Sequence, residues 1–380
     1  MIYADYASTT PLDPDVLKQM EPYFSACFGN GSSVHSLGRE AAAAAEKARE
    51  QIAHVLGAEK NEIYFTSGGT ESDNWAIWGT AQANKTKGNH IITSQIEHHA
   101  VLNCCKALEK EGFEVTYLPV DALGRVKIRD LEKAITSQTI LISIMAANNE
   151  IGTKQPLEEI GNIAAENEIA FHTDAVQAVG NMEIEVKKQK ITMLSLSAHK
   201  FYGPKGIGAL FIRNGQKIQN LMCGGSQERD RRPGTLNIPG IVGMGYALEK
   251  QYADREKRNS TALAAANCIK QQLFSQLSGV TLNGDPENRL PGNLNFSFEG
   301  VQAESLLFLL DLCGIACSAG AACSAGAMSA SHVLMAIKRD ENYAKSALRI
   351  TLSHLTTLQE AEQIAAAIVT NVKKIRKAFI

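Results

Sequence analysis

The stretch Ser195–Gly208, "SLSAHKFYGPKGIG", decides how the rest of the chain is read. The apolar run "ITMLSLS" ends there, His199 and Lys200 follow, and the chain then breaks up at Gly203, Pro204, Gly206 and Gly208. A short apolar run closed by glycines and proline reads as a buried strand entering a turn. A lysine is almost never fully buried without a partner. Lys200 at the end of such a strand is therefore either a snorkelling surface residue or a functional amine.

Working outward, the same unit repeats. "EIYFTS" precedes a helical pattern carrying Trp75 and Trp78, and "HIITSQ" precedes one with Val101, Cys105 and Leu108 on one face. "EVTYLPV", "TILISIMAA", "IAFHTDA", "ITMLSLS" and "GIGALFIR" continue the series. Short β-rich runs alternating with helix-period segments indicate an α/β fold, a mostly parallel seven-stranded sheet with helices on both faces. Near residue 250 the pattern changes. A polar, Ala-rich helical stretch from about Ile241 to Leu277 leads to "GVTLNG", "GNLNFSFEG", a helix around "AESLLFLLDLCG" and a final amphipathic helix with Ile364, Ile368, Val372 and Ile375 on one face. The expected division is a large α/β domain over 13–250 and a smaller α+β domain formed by 1–12 and 251–380. The smaller domain includes the Ala/Ser/Gly tract at about 316–331.

A chain of 380 residues suits two cores better than one. Its net charge of −2 and 44% apolar content give no electrostatic footprint for nucleic acid or an anionic membrane. The basic residues Arg229, Arg231 and Arg232 alternate with Glu228 and Asp230 and read as a solvated loop. No apolar run approaches the roughly 18 residues of a membrane span, and "MIYADYASTTPLDPD" lacks the features of a signal peptide. The expected location is the cytoplasm, where the eight cysteines stay reduced and most serve as small core residues.

Ligands of open α/β sheets collect at the carboxyl ends of the strands. Those ends carry Gly68-Gly69-Thr70, then Glu97-His98-His99, then Asn148-Asn149-Glu150, then Asp174, then His199-Lys200. A glycine pair opening a helix offers free N–H groups to an anion, or is simply a tight turn. It is not a nucleotide P-loop. Asp174 at the end of one apolar strand and Lys200 at the end of another are the two groups that pyridoxal 5'-phosphate (PLP) requires, a carboxylate for the ring nitrogen and an amine for the aldehyde. The alternative is a buried ion pair. His98 either caps a helix or serves the site. Cys313, Cys317 and Cys323 match no zinc or iron–sulfur spacing, so no metal is expected. Cys323, in a tract of Ala, Ser and Gly, has the setting of a reactive thiol.

These segments together resemble the NifS/IscS-like cysteine desulfurases of the class V aminotransferase family, among the fold-type I PLP enzymes. The resemblance spans essentially the whole chain through "YADYASTTPLD", "TSGGTESDN", "IEHHAVL", "NNEIG", "FHTDAVQAVG", "SLSAHKFYGPKGIGAL", "RRPGTLN", "SAGAACSAG" and "LRITLSH". It implies that Lys200 anchors PLP, that Asp174 pairs with the ring nitrogen, that Gln177 reaches the phenolic oxygen and that His98 stacks on the ring. Gly69, Thr70, Ser197 and His199 would hold the phosphate, joined by Thr235 from a second subunit of a homodimer. Asn149 and Arg349 would bind the substrate carboxylate, and Cys323 would take sulfur from L-cysteine as a persulfide, releasing L-alanine. A sulfur-acceptor protein, an iron–sulfur scaffold or a thiolation enzyme, would follow.

The chain departs from the family pattern in several places. Tyr6 stands in "DYASTT" where asparagine is common, "SAGAAC" replaces the usual "SSGSAC", and "AMSA" replaces an acidic-proline segment. Cys317 adds a thiol six residues before Cys323, as a sulfur relay, a regulatory disulfide partner or an incidental residue. The ending "KKIRKAFI" lacks the longer tail with which some relatives dock a scaffold. Two rivals remain: another fold-type I enzyme, a selenocysteine lyase or aminotransferase, and a non-catalytic sulfur or metal carrier. An aminotransferase has no use for Cys323, and a carrier leaves Lys200, Asp174 and Arg349 unexplained.

Overall fold

Along the chain of the computed structural model, which describes residues 1–319, 330–337 and 340–378, the strands are β1 (Ile2–Tyr3), β2 (Ile63–Thr66), β3 (His90–Ser94), β4 (Glu114–Leu118), β5 (Thr139–Ser143), β6 (Ala170–Asp174), β7 (Met193–Ser197), β8 (Gly208–Ile212), β9 (Val280–Leu282), β10 (Asn293–Phe298), β11 (Ile315–Ala316) and β12 (Ala347–Thr351). The seven runs singled out in the sequence are β2 to β8, and they form one sheet in the order β2-β8-β7-β6-β5-β3-β4. All are parallel except β8, which runs antiparallel to both β2 and β7. Strands β3, β5, β7 and β8 are buried at every residue, as expected of strands covered by helices on both faces. Progression along the sheet reverses at β3, which lies between β4 and β5. That reversal opens a crevice at the carboxyl edge.

The Arg229–Arg232 segment is a solvated loop only in part: Arg229 and Asp230 are exposed, but the arginines and the adjacent Glu228 are tied back to distant parts of the chain. Glu228 is buried and bridges to the Arg49 guanidinium at 2.7 and 2.9 Å, while accepting the Phe65 N–H at 2.7 Å. Arg229 donates to the Ile63 carbonyl and lies over the Tyr64 ring, Arg231 donates to the Ile218 carbonyl, and Arg232 pairs with Glu71. Alternating signs suggested solvent because their partners lie far away in sequence.

A second sheet, antiparallel in the order β12-β10-β9, carries the C-terminal part. Period-two alternation sorts β10: Leu294, Phe296 and Phe298 enter a core shared with Ile364, Ile368, Val372 and Ile375 of the helix Leu358–Ala378. Asn295 and Ser297 on the other side bond to the Asn283 side chain, and Asn295 also donates to the Glu150 carbonyl. The helical stretch expected over 241–277 is two helices, Ile238–Ala253 and Arg255–Gln276, broken at Asp254. β1 pairs in parallel with β11, and Ala4 joins the second core. The N-terminal strap from Asp5 to Thr10 then runs back along the carboxyl edge of the large sheet, where Thr10 bonds to the His199 carbonyl.

The expectation that most cysteines are core residues is met in part, with Cys104 and Cys105 inside a core and Cys268 and Cys317 packed against the second core. Of the seven described, all free, only Cys104 and Cys105 are buried, and Cys223 and Cys313 are exposed. Cys313 is the C-cap of the helix Ala303–Leu312, where its sulfur accepts from Asn371 Nδ2 at 3.6 Å. No helix of the described residues is long and apolar enough to cross a membrane.

Removing one partner of a buried ion pair leaves the other charge unpaired, at a cost of about 3–5 kcal/mol. Arg49 keeps its half-exposed partner Glu46 at 3.0 Å, so Glu228→Ala is expected to destabilise the chain by about 3 kcal/mol, the lower end of that range, measured as a lowered midpoint in guanidinium denaturation. A midpoint within error of the parent would contradict the structural importance of this pair.

Candidate active site

Ten of the twelve residues expected at the site line one cavity of about 350 Å³ at the carboxyl edge of the large sheet. They come from several elements, because successive strands of the large sheet deliver the residues at their carboxyl ends to the same edge. β2 ends in the turn Gly68-Gly69-Thr70, which opens the helix Gly69–Ala83. β3 leads to His98, the N-cap of the helix His99–Lys110. β6 ends at Asp174, β7 ends at Ser197, and the turn Ala198–Lys200 follows. Arg349 arrives from the middle of β12 in the second sheet. The two exceptions are Thr235, exposed on the loop before the helix Ile238–Ala253 and away from this cavity, and Cys323, which lies outside the described residues.

The glycines of the turn are required by close approach. A Cβ on Gly69 would sit 2.6 Å from Val176 Cγ2, and one on Gly208 would sit 2.6 Å from Gly68 Cα. The helix begins without a side-chain cap, so its first N–H groups stay available beside the hydroxyls of Thr70 and Ser197.

Lys200 Nζ donates to the carbonyls of Ala7 at 2.5 Å and Ser8 at 2.8 Å, both on the N-terminal strap. Gln177 Nε2 donates to the same Ala7 carbonyl at 2.8 Å. Burial pulls the Lys200 amine down to about 8; Arg349 pushes the same way, against the pull of Asp174 and Asp5. Below the amine, Asp174 is buried and accepts the Val176 N–H at 2.9 Å. Burial raises its carboxyl above the ordinary range, although His98 and Lys200 oppose the shift.

A second carboxyl, that of Asp73, lies fully buried next to it, and its Oδ1 has no hydrogen-bond partner. Burial and the nearby Asp174 push Asp73 well up. His172, held between Ser143 and Ser195 at 2.8 and 3.0 Å, is kept neutral by burial, at about 3. The His98 ring is open to the cavity while protein walls it in, and that desolvation lowers its pKa. Its Nδ1 accepts the Ala100 N–H, so the neutral ring carries its proton on Nε2. Burial, with Lys200 and Lys205, pulls His199 down to about 4, and its Nδ1 lies 3.1 Å from Thr9 Oγ1.

Sequence reading did not single out Asp73, Ala7 or Ser8 as site residues. Their only signal was their place inside "TSGGTESDN" and "YADYASTTPLD". Cys317 carries a thiol that burial pushes up to about 12, so it is no ready thiolate.

The model of the class-V aminotransferase family matches residues 2–364, and the chain belongs to that family. It is 51% identical over 375 residues to "Cysteine desulfurase IscS" of Methanosarcina thermophila, covering 99% of this chain and 93% of that protein. Among solved structures, a NifS-like protein superposes with a TM-score of 0.90 at 38% identity, covering 100% of this chain and 99% of that one. Another, SspA in complex with cysteine, superposes with a TM-score of 0.83 at 40% identity, covering 93% and 99%.

The donor set fits PLP. The uncapped helix start with Thr70, Ser197 and His199 suits a phosphate. Two buried carboxyls with raised pKa values and one orphaned oxygen lack the cation that a protonated ring nitrogen would supply. The ligand atoms of Asp73, His98 and Asp174 lie within 4.8 Å of one another, a spacing that would also admit a metal cation. The surrounding Lys200, Arg349 and helix N-terminus favour an anionic, ring-bearing ligand over a bare cation.

Only the neutral amine attacks an aldehyde, so PLP capture by the cofactor-free chain is expected to accelerate about tenfold per pH unit below pH 8 and to level off above it. Stopped-flow absorbance of the bound cofactor measures this. An inflection near the ordinary lysine value of about 10.4 would contradict the depressed Lys200.

Proposed function

We propose that this chain is a PLP-dependent cysteine desulfurase, which converts L-cysteine to L-alanine and passes the sulfur to Cys323. The observation that carries the reading is the single cavity in which Lys200, Asp174 and His98 stand beside Arg349. Family membership, the similarity to proteins named cysteine desulfurase and the resemblance to a structure holding cysteine support it.

PLP supplies an electron sink for negative charge at the substrate's α-carbon. In this reading Lys200 would anchor the cofactor, and its Nζ would move the substrate's α-proton. Asp174 would keep the ring nitrogen protonated, Gln177 would reach the phenolic oxygen, and neutral His98 would lie against the ring with its Nε2 proton available. Gly69, Thr70, Ser197 and His199 hold the phosphate. Arg349 and Asn149 bind the substrate carboxylate, a task suited to a guanidinium fork. The Cys323 thiolate attacks the substrate sulfur: the carbon–sulfur bond breaks, a sulfur–sulfur bond forms, and the carbon takes a proton to give L-alanine. Cysteine and thiol thus yield alanine and persulfide without an external oxidant.

Thr235 is exposed, and we assign it to the phosphate site of a second subunit in a homodimer. Further parts of the proposal are a cytoplasmic location, a sulfur-acceptor protein in iron–sulfur cluster assembly or thiolation, and a division into domains 13–250 and 1–12 with 251–380.

Alanine formation from L-cysteine with a reducing thiol tests the assignment. The parent is expected to form alanine and Cys323→Ser to lose at least about a hundredfold, as expected when a nucleophile is removed. Equal alanine from both would move the nucleophile elsewhere, and none from either would refute the desulfurase reading.

A further inference from the structure

The guanidinium of Arg349 is held by a carboxylate from the opposite end of the chain. Arg349 Nη2 donates to Asp5 Oδ1 at 2.9 Å and to Ser8 Oγ at 2.7 Å, and Nη1 donates to the Asn149 carbonyl at 3.2 Å. The other oxygen of Asp5 accepts the Ser318 hydroxyl at 2.8 Å. Both side chains are enclosed, at 4% exposure for Arg349 and 15% for Asp5, and Asp5 is the carboxylate that pairs with Arg349 among the described residues. The Arg349 Nε is buried without a partner, so the guanidinium keeps an unused donor while it lines the cavity.

We infer that Asp5 is a positioning residue for the carboxylate-binding Arg349 and sets the preference of the site for α-amino acids over simple amines. This rests on the proposed role of Arg349 in binding the substrate carboxylate. Arg349 has its backbone fixed in β12, paired with Asn295 on one side and Ser318 on the other. Four side-chain torsions still separate that backbone from the guanidinium, and a flexible cation binds a carboxylate poorly because it must be ordered first. Asp5 and Ser8 occupy Nη2 and fix the plane of the fork before any ligand arrives. Asp5 also supplies the negative charge that a buried guanidinium needs in the free enzyme. It is anchored in turn, since the Thr351 carbonyl accepts the Tyr6 N–H and Asp5 forms a β-bridge with Thr351.

A competing effect has the opposite sign. Asp5 is itself an anion, and if it acted mainly by repelling the incoming carboxylate, its removal would tighten binding. Ser318 and Arg349 share the charge of Asp5 in the present geometry, and its orientation of Nη2 is the larger contribution.

L-alanine and ethylamine, which differ only by the carboxylate, separate these cases. Their dissociation constants can be read from the change they cause in the visible absorbance of the PLP-loaded enzyme, with no sulfur chemistry involved. For Asp5→Ala, alanine binding is expected to weaken about tenfold with ethylamine unchanged, the loss of one charge-assisted orienting contact. Asp5→Asn keeps an oxygen acceptor for Nη2 and is expected to recover most of that loss. PLP content should match the parent in both.

Equal weakening of alanine and ethylamine would reduce Asp5 to a structural residue and overturn the inference. So would unchanged or tighter alanine binding. Arg349→Lys serves as the reference. If it weakens alanine selectively while Asp5→Ala does not, the positioning role fails. If neither variant does, the carboxylate site itself lies elsewhere and the reading of Arg349 fails.

Discussion

A cationic amine stands at the carboxyl edge of a sheet whose central strands are buried, with two backbone carbonyls as its acceptors among the described residues, and the site is arranged around that placement. A lysine hydrogen-bonded to carbonyls and denied bulk water loses the solvation that ordinarily keeps it charged. Lys200 is brought to about 8 in this way, with the Arg349 guanidinium adding to the effect. The N-terminal strap that supplies the carbonyls is positioned by distant parts of the chain: β1 pairs with β11, Asp5 meets Thr351, and Thr10 meets His199. The amine therefore depends on both the large sheet and the C-terminal sheet.

The same enclosure governs the acids and the imidazoles. Asp73 and Asp174 are buried together, and burial raises both carboxyls, while His172 behind them stays neutral and contributes no compensating charge. A site with two under-compensated carboxyls, a weakly basic lysine and a neutral His98 is prepared for a ligand with a positive ring and an anionic tail. In the proposed reading the uncapped start of the helix Gly69–Ala83 would receive the tail, since glycine at 69 leaves room where a Cβ would collide with Val176. The charges that look unfavourable in the free chain become complementary when PLP is present.

Much of this was legible in the sequence, for a physical reason. The runs "TILISIMAA" and "ITMLSLS" are apolar because both faces of their strands are covered, and each ends in polar residues because the edge is where the ligand sits. Lys200, Asp174 and His98 could be placed at one edge because they follow "ITMLSLS", "IAFHT" and "HIITSQ" in the same way. What escaped were contacts that local patterning does not encode. Asp5 and Arg349 are 344 residues apart, and Glu228 meets Arg49 across 179, so neither charge announced its partner. The cysteines were only partly legible because composition reports a preference for burial and says nothing of a residue's place at a helix end, as the exposed C-cap Cys313 illustrates.

The central claim is that Lys200, among all the lysines, is the amine that carries the cofactor. Borohydride reduction of the PLP-loaded enzyme, followed by proteolysis and mass mapping of the pyridoxyl adduct, tests it directly. The account predicts the adduct on the peptide containing Lys200 and on no other. A stoichiometric adduct on Lys205, or on any lysine outside the cavity, would contradict it.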